Sequence, residues 1–257
     1  MTPLAGQMQE LEAKLGRDGY VTLPNVVSKT RLAALADQLR NEFNRAKAAG
    51  ELFSGGGMIS GHLNCFPGAQ SRFVYDELDQ HGVFDLVRKI SPAATRMPNI
   101  GCNLNLPNSG AQNPHVDGYA ATAFFIVNVA PVDTDIENGA MEVTPGTHVH
   151  EYKYWQYALS GKPAIRMRMS AGDVVIRSSV LWHRGMPNVS RAARPMLAFT
   201  WENGGSELAD PYTAHGGQIT FLTNRYSQNL SDRIRERAFT KLPALGTGYL
   251  FMRSLFQ

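Results

Sequence analysis

Leu32, Leu35, Leu39 and Phe43 recur at spacings of three and four. That period puts them on one face of a helix and predicts a face packed against a core, with Ser28 as the candidate N-cap. Between this helix and an earlier helical segment lies Tyr20-Val-Thr-Leu-Pro24, a β-favouring run bounded by Gly19 and Pro24 that predicts a strand. Glu51 to Gly68 contains Gly55-Gly56-Gly57 and then Gly61-His62-Leu63-Asn64, a composition that predicts a mobile loop, a candidate cover for a site.

From about Asn99 the pattern changes. Cys102 to Leu106, Ala121 to Val129, Ala140 to Val143, Ile165 to Met169, Val174 to Ile176 and Met196 to Trp201 are short apolar runs separated by turn residues. They predict an antiparallel sandwich or small barrel. Ser231 to Thr240 returns to a helical pattern. With no repeat and no linker, the chain reads as a single domain over 1–257. It has helical N-terminal support in 1–98, a β core over about 99–205 and a C-terminal extension in 206–257, a mainly β (α+β) architecture with flanking helices.

Composition narrows the function. Hydrophobic residues at 43% with 24 Gly and 14 Pro fit a turn-rich globular protein. The net charge of +3 is spread along the chain without a basic run, so nucleic acid is not expected as a partner. Cys65 and Cys102 are the only cysteines, without CxxC spacing, in a chain too large to need a staple, which predicts a reducing compartment. Glu10, Glu12 and Lys14 interrupt the N-terminal apolar pattern, and no stretch approaches the ~20 apolar residues of a membrane helix. The expectation is a cytoplasmic protein acting on a small molecule, with its oligomeric state unknown from sequence.

The candidate chemistry lies in Asn113-Pro-His-Val-Asp117-Gly118. On a strand, alternate residues share a face, so His115 and Asp117 would point the same way. His183, after the apolar run Val174 to Ile176 and before Gly185-Met-Pro187, is the candidate third ligand. Two histidines and a carboxylate form the facial triad that leaves positions open on a non-haem iron. An H-x-D pair alone is weak, since any two polar residues on a strand satisfy it. Arg194, eleven residues beyond His183 across a turn-rich stretch, adds a planar fork suited to a dicarboxylate.

His148 and His150 follow the turn-forming Pro145-Gly146 without a carboxylate partner, and are read as turn or surface residues rather than ligands. Candidate substrate contacts are Tyr119 beside the motif, Asn128 on the parity of Phe124 and Ile126, and His62 and Asn64 from the glycine-rich stretch. Tyr152, Tyr154, Trp155 and Tyr157 form an aromatic cluster, and Arg166 and Arg168 read as a solvated strand face.

Taken together, His115-Val-Asp117, Asn138-Gly-Ala-Met141 with Pro145-Gly-Thr-His148, Trp182-His183, Asn188, Ser190 and Arg194 resemble phytanoyl-CoA dioxygenase-like proteins. Asp18-Gly-Tyr-Val-Thr-Leu-Pro24 is similar to that family's opening, and the resemblance covers roughly residues 15–205. It implies a double-stranded β-helix (jelly roll, cupin-like) with Fe(II) on His115, Asp117 and His183. It also implies 2-oxoglutarate with its distal carboxylate on Arg194, and O2 as oxidant. The implied outcome is hydroxylation of a small organic metabolite with release of succinate and CO2. Desaturation or cyclisation on the same iron is the alternative, and a non-catalytic jelly-roll binding protein is the reading from a different class. An isomerase-type cupin would not need Arg194, and Asp117 argues against the halogenases, which lack the carboxylate.

Two positions depart from the family pattern. Gly185 stands where the family often has Ser, and Asn105 where it has a polar or basic residue; Asn105 and Ser190 are the further candidate cosubstrate contacts.

Overall fold

The spacing of apolar residues sorts the chain into helices that cover one side of an antiparallel sheet. The structure, a computed structural model, describes residues 4–51, 60–222 and 230–256. In chain order the elements are α1 (Met8–Asp18), β1 (Tyr20–Leu23), α2 (Lys29–Ala48), β2 (His62–Phe66), α3 (Arg72–His81), α4 (Val83–Ile90), β3 (Asn99–Asn105) and β4 (Phe125–Val129). They continue with β5 (Glu142–Val143), α5 (Tyr154–Leu159), β6 (Ile165–Arg166), β7 (Val174–Ser178), β8 (His183–Arg184), β9 (Arg194–Thr200), β10 (Thr220–Phe221), α6 (Leu230–Lys241) and α7 (Pro243–Leu255).

Seven strands form one sheet in the order β1-β7-β4-β9-β3-β2-β10, and β6-β5-β8 form a second, with every pair antiparallel. This is the jelly-roll arrangement the sequence led us to expect, without a closed barrel. Alternation divides the large sheet's residues between two cores. Val127, Val129, Val174, Ile176, Leu197 and Phe199 point away from the small sheet. They join Leu32, Leu35 and Leu39 of α2 and Phe84, Leu86 and Val87 of α4 in the main core. Val175 and Met196 point the other way, into a smaller core with Val143 and Met167. Because both faces of β7 are covered, all five of its residues are buried.

The structure corrects several expectations. Within the stretch read as a loop, His62–Phe66 is a strand paired with β3, His62 opposite Asn105 and Asn64 opposite Asn103. Residues 52–59, on which the covering-loop expectation falls, lie outside the described residues. Ser28 occupies the N-cap position of α2 without a side-chain cap bond; its backbone N–H goes to Glu77 Oε2 at 2.7 Å. The run from Ala121 is a 3-10 turn over Ala120–Thr122 before β4 starts, and the runs at Ala140 and Ile165 shorten to two-residue strands. Asn113 to Asp117 is no regular strand: its ladder is a single bridge, His115 to His183. No helix among the described residues is long and apolar enough to cross a membrane.

Candidate metal centre

Backbone pairing brings the three candidate ligands together. His115 and His183 exchange both N–H···O bonds, at 2.9 and 3.0 Å, and the Asp117 N–H donates to Ser179 O at 2.7 Å. The segment carrying His115 and Asp117 is thereby stitched to the β7–β8 turn. His115, Asp117 and His183 offer ligand atoms that all lie within 4.8 Å of one another. His183 Nε2 is 3.3 Å from Asp117 Oδ2 and His115 Nε2 is 3.8 Å from Oδ1. The His183 side chain is 5% exposed and that of His115 40%, so the cluster sits at the mouth of the sandwich.

Each imidazole has its other nitrogen occupied. His115 Nδ1 lies 2.8 Å from Asn113 O and His183 Nδ1 2.9 Å from Leu181 O. A carbonyl only accepts, so both Nδ1 atoms carry a proton, and each Nε2, turned toward Asp117, is the atom left for a divalent metal. Desolvation by packed neighbours, aided by His183, pulls His115 down to about 4. Burial alone would raise the Asp117 carboxyl. Arg177, and then the histidines, outweigh it and hold Asp117 well below the usual carboxylate range. Two imidazole nitrogens and one carboxylate oxygen gathered at a common point fit a metal ion.

Arg194 opens β9 opposite Asn105 of β3. Its Nη2 donates to Gly139 O at 2.9 Å, while Nε is buried without a partner. Burial pulls the guanidinium down to about 10, which leaves it charged at neutral pH, and no acid pairs with it among the described residues. A buried cation without a counter-charge fits an anionic ligand. Gly139 makes this cradle possible: its φ is +85°, and a Cβ there would run into Asn105 Nδ2 and come 2.7 Å from Met186 O.

The other expected residues fare differently. Asn105 gives one amide N–H to Met186 O at 2.9 Å, its second amide N–H has no acceptor among the described residues, and its Oδ1 is buried without a partner. Ser190 donates its hydroxyl to Asn188 Oδ1 at 2.6 Å within its own turn. Asn188, fully buried, also donates to Asn105 O and Ala192 O, and so fixes the turn that delivers Arg194 to β9. His62 is buried on β2 with Nε2 against Gly110 O at 3.0 Å. Asn64 accepts from Asn103 Nδ2 at 3.0 Å across the β2–β3 pair. Asn128 faces inward but is occupied: it donates to Leu197 O and accepts from Arg177 Nε at 3.0 Å. Tyr119 is 80% exposed at the rim.

His148 stands over Gly19 with Nε2 near Gly16 O, away from the ligands. Tyr157 stacks on Trp182, 4.1 Å between centroids, so part of the aromatic cluster buttresses the strand that carries His183. Arg168 is exposed as expected of a solvated face. Arg166 is not: half-buried, it donates through Nε to Ala140 O at 2.8 Å.

Two contacts of the site lay beyond the sequence reading, the packing around Gly185 and the partner of Arg177. Gly185, the departure from the family's Ser, is closely packed: a Cβ would meet Gln112 Oε1 at 2.6 Å and His62 Cε1 at 2.7 Å, so a side chain there requires one of them to shift. Arg177 bonds Asp117 Oδ2 through Nη2 at 2.7 Å. Its signal was a charged residue ending the apolar run of β7.

Residues 15–196 match the sequence model of the family described as Phytanoyl-CoA dioxygenase (PhyH). Among solved structures, the non-heme alpha-ketoglutarate-dependent epimerase SnoN from nogalamycin biosynthesis is 22% identical. It aligns over 76% of this chain and 82% of its own with a TM-score of 0.56. The carbocyclase SnoK from the same biosynthesis is 16% identical over 75% and 83%, with a TM-score of 0.54. HygX from Streptomyces hygroscopicus, solved with nickel, 2-oxoglutarate and hygromycin B bound, is 14% identical over 75% and 86%, with a TM-score of 0.55. These likenesses establish a shared fold.

Proposed function

The chain belongs to the phytanoyl-CoA dioxygenase family, and from that premise we propose that it is an Fe(II)- and 2-oxoglutarate-dependent dioxygenase that hydroxylates a small organic metabolite, releasing succinate and CO2. His115, Asp117 and His183 would hold the metal, and Arg194 the distal carboxylate of 2-oxoglutarate. Iron with 2-oxoglutarate and O2 supplies an oxidant able to take hydrogen from an unactivated C–H bond. The observation that carries this reading is the pairing of a converged His-Asp-His cluster with a buried guanidinium that lacks an acid.

The residues divide the work. The two Nδ1–H···O=C bonds hold both imidazoles in one tautomer and orientation. Gly139 O and the turn around Asn188 aim Arg194 inward. Asn64, Asn103 and His62 on the inward face of β2 and β3 give the site polar walls suited to a substrate with hydrogen-bonding groups. Tyr119 would meet the substrate from the rim. Both cysteines are free, which supports a reducing location such as the cytoplasm.

Desaturation or cyclisation is the second reading. It is favoured by the range of reactions, epimerisation and carbocyclisation, named for the solved structures of this fold. Anaerobic titration with Fe(II) and then 2-oxoglutarate tests the core of the proposal: a visible metal-to-ligand charge-transfer band is expected. Its absence in folded protein overturns the cosubstrate assignment and favours a binding protein. Product mass, with or without an added oxygen, then separates hydroxylation from desaturation.

A further inference from the structure

Arg177 lies on β7, opposite Tyr20 of β1 and Ile126 of β4, with its side chain on the inward face and only 7% exposed. An arginine there is costly, since an apolar residue of similar volume packs such a position without desolvating a charge. Its compensation is a directed pair of bonds. Nη2 donates to Asp117 Oδ2 at 2.7 Å, and Nε donates to Asn128 Oδ1 at 3.0 Å. Asn128 is itself tied by Nδ2 to Leu197 O at 3.3 Å. The chain of contacts runs from the central strand β9 through β4 and β7 to the candidate ligand. Nη1 stays buried without a partner, so the guanidinium is not fully satisfied by the fold alone.

We infer that Arg177 is a positioning residue that holds Asp117 to ligation through a single oxygen. This rests on reading His115, Asp117 and His183 as a metal centre. A charge-assisted hydrogen bond occupies Oδ2, while Oδ1 takes no hydrogen bond among the described residues. A carboxylate with both oxygens free can close on a metal through both and fill a position that 2-oxoglutarate or oxygen needs. The Arg177 bond opposes that mode. It also draws charge from the carboxylate, which makes it a weaker donor and a bound metal a stronger acceptor. Asn128, first read as a candidate substrate contact, acts here by fixing the arginine.

The test uses Co2+ as the probe on the full chain, anaerobically, followed by titration with 2-oxoglutarate. Arg177→Gln should still take up Co2+, with an altered visible ligand-field spectrum. Its affinity for 2-oxoglutarate should fall about tenfold or more, the scale of losing an outer-shell partner. Arg177→Lys, which keeps a cationic donor, should recover most of both. A wild-type spectrum and wild-type affinity in Arg177→Gln overturn the inference. If Arg177→Gln does not fold, Asn128→Ala decides: a smaller change in the same direction supports the inference, and an unchanged spectrum overturns it. Wild-type protein that takes up no Co2+ overturns the metal-centre reading and this inference with it.

Discussion

Asn105 and Arg194 stand directly opposite each other across β3 and β9, and each buries a polar atom that no described residue satisfies, Oδ1 in one and Nε in the other. Arg194 Nε is a donor that a bound anion can satisfy, so an anion there should offset the cost of burying it, whereas Asn105 Oδ1, an acceptor, needs a donor.

Arg194→Met should separate stability from binding. Removing an unpaired buried charge is expected to raise the melting temperature of the ligand-free protein. Affinity for 2-oxoglutarate should fall roughly 10- to 100-fold, matching about 1.5–3 kcal/mol for a hydrogen bond to a charged group. Thermal scans with and without 2-oxoglutarate check both. The wild-type melting temperature should rise with ligand and the variant's should not.

Acid should destabilise the metal-free protein through His115. With its folded value near 4 against 6.5 for a free imidazole, the unfolded chain binds more protons between those two values. Stability is thus fully present above that window and is lost as pH falls through it. Buried His62, also lowered by desolvation, adds in the same direction. Urea denaturation of chelator-treated protein at a series of pH values should show this slope, and His115→Gln should flatten it.

Gly139→Ala places a methyl group between Asn105 and Met186 at a φ of +85°. The expected cost is about 1–3 kcal/mol, as for overpacking with backbone strain. Because Gly139 O orients Arg194, weaker 2-oxoglutarate binding should accompany the lower urea midpoint.

Phe84→Ala tests the main core. Phe84 is fully buried against Tyr75, Trp201 and Phe199, at centroid distances of 4.8, 5.5 and 6.1 Å. A loss of about 3–5 kcal/mol is expected, read by denaturant titration. Metal affinity of the fraction that remains folded should not change.

The sequence carried the cluster and the sheet unevenly. His115 and Asp117 were legible because an alternate pair points one way even where, as here, only a bridge replaces a strand. Leu32, Leu35 and Leu39 announced α2 because a helix repeats its buried positions locally. β2 was hidden because Gly61 and Asn64 read as loop formers, and pairing with β3, some forty residues on, overrides local preference. Arg177 was hidden for a related reason. Its partner Asp117 lies 60 positions away, and nothing in Val174 to Ser178 says which acid a buried arginine will meet. Gly185 was visible as a departure, but the space it yields to Gln112 and His62 exists only in three dimensions.

The segment that matches the family stops at residue 196, inside β9, the strand that pairs with both β3 and β4. Leu197, Phe199 and Trp201, all in the main core, come after it. Further on, α7 brings Gly246 against Asn113, beside the candidate ligand His115, and Ser254 Oγ accepts the N–H of Trp155. A fragment cut where the likeness ends would lose half of its central strand and the props beside its candidate metal centre. What relatives share and what can stand alone are thus different lengths of chain, and swapping parts between relatives should place the junction beyond the last helix rather than at the limit of resemblance.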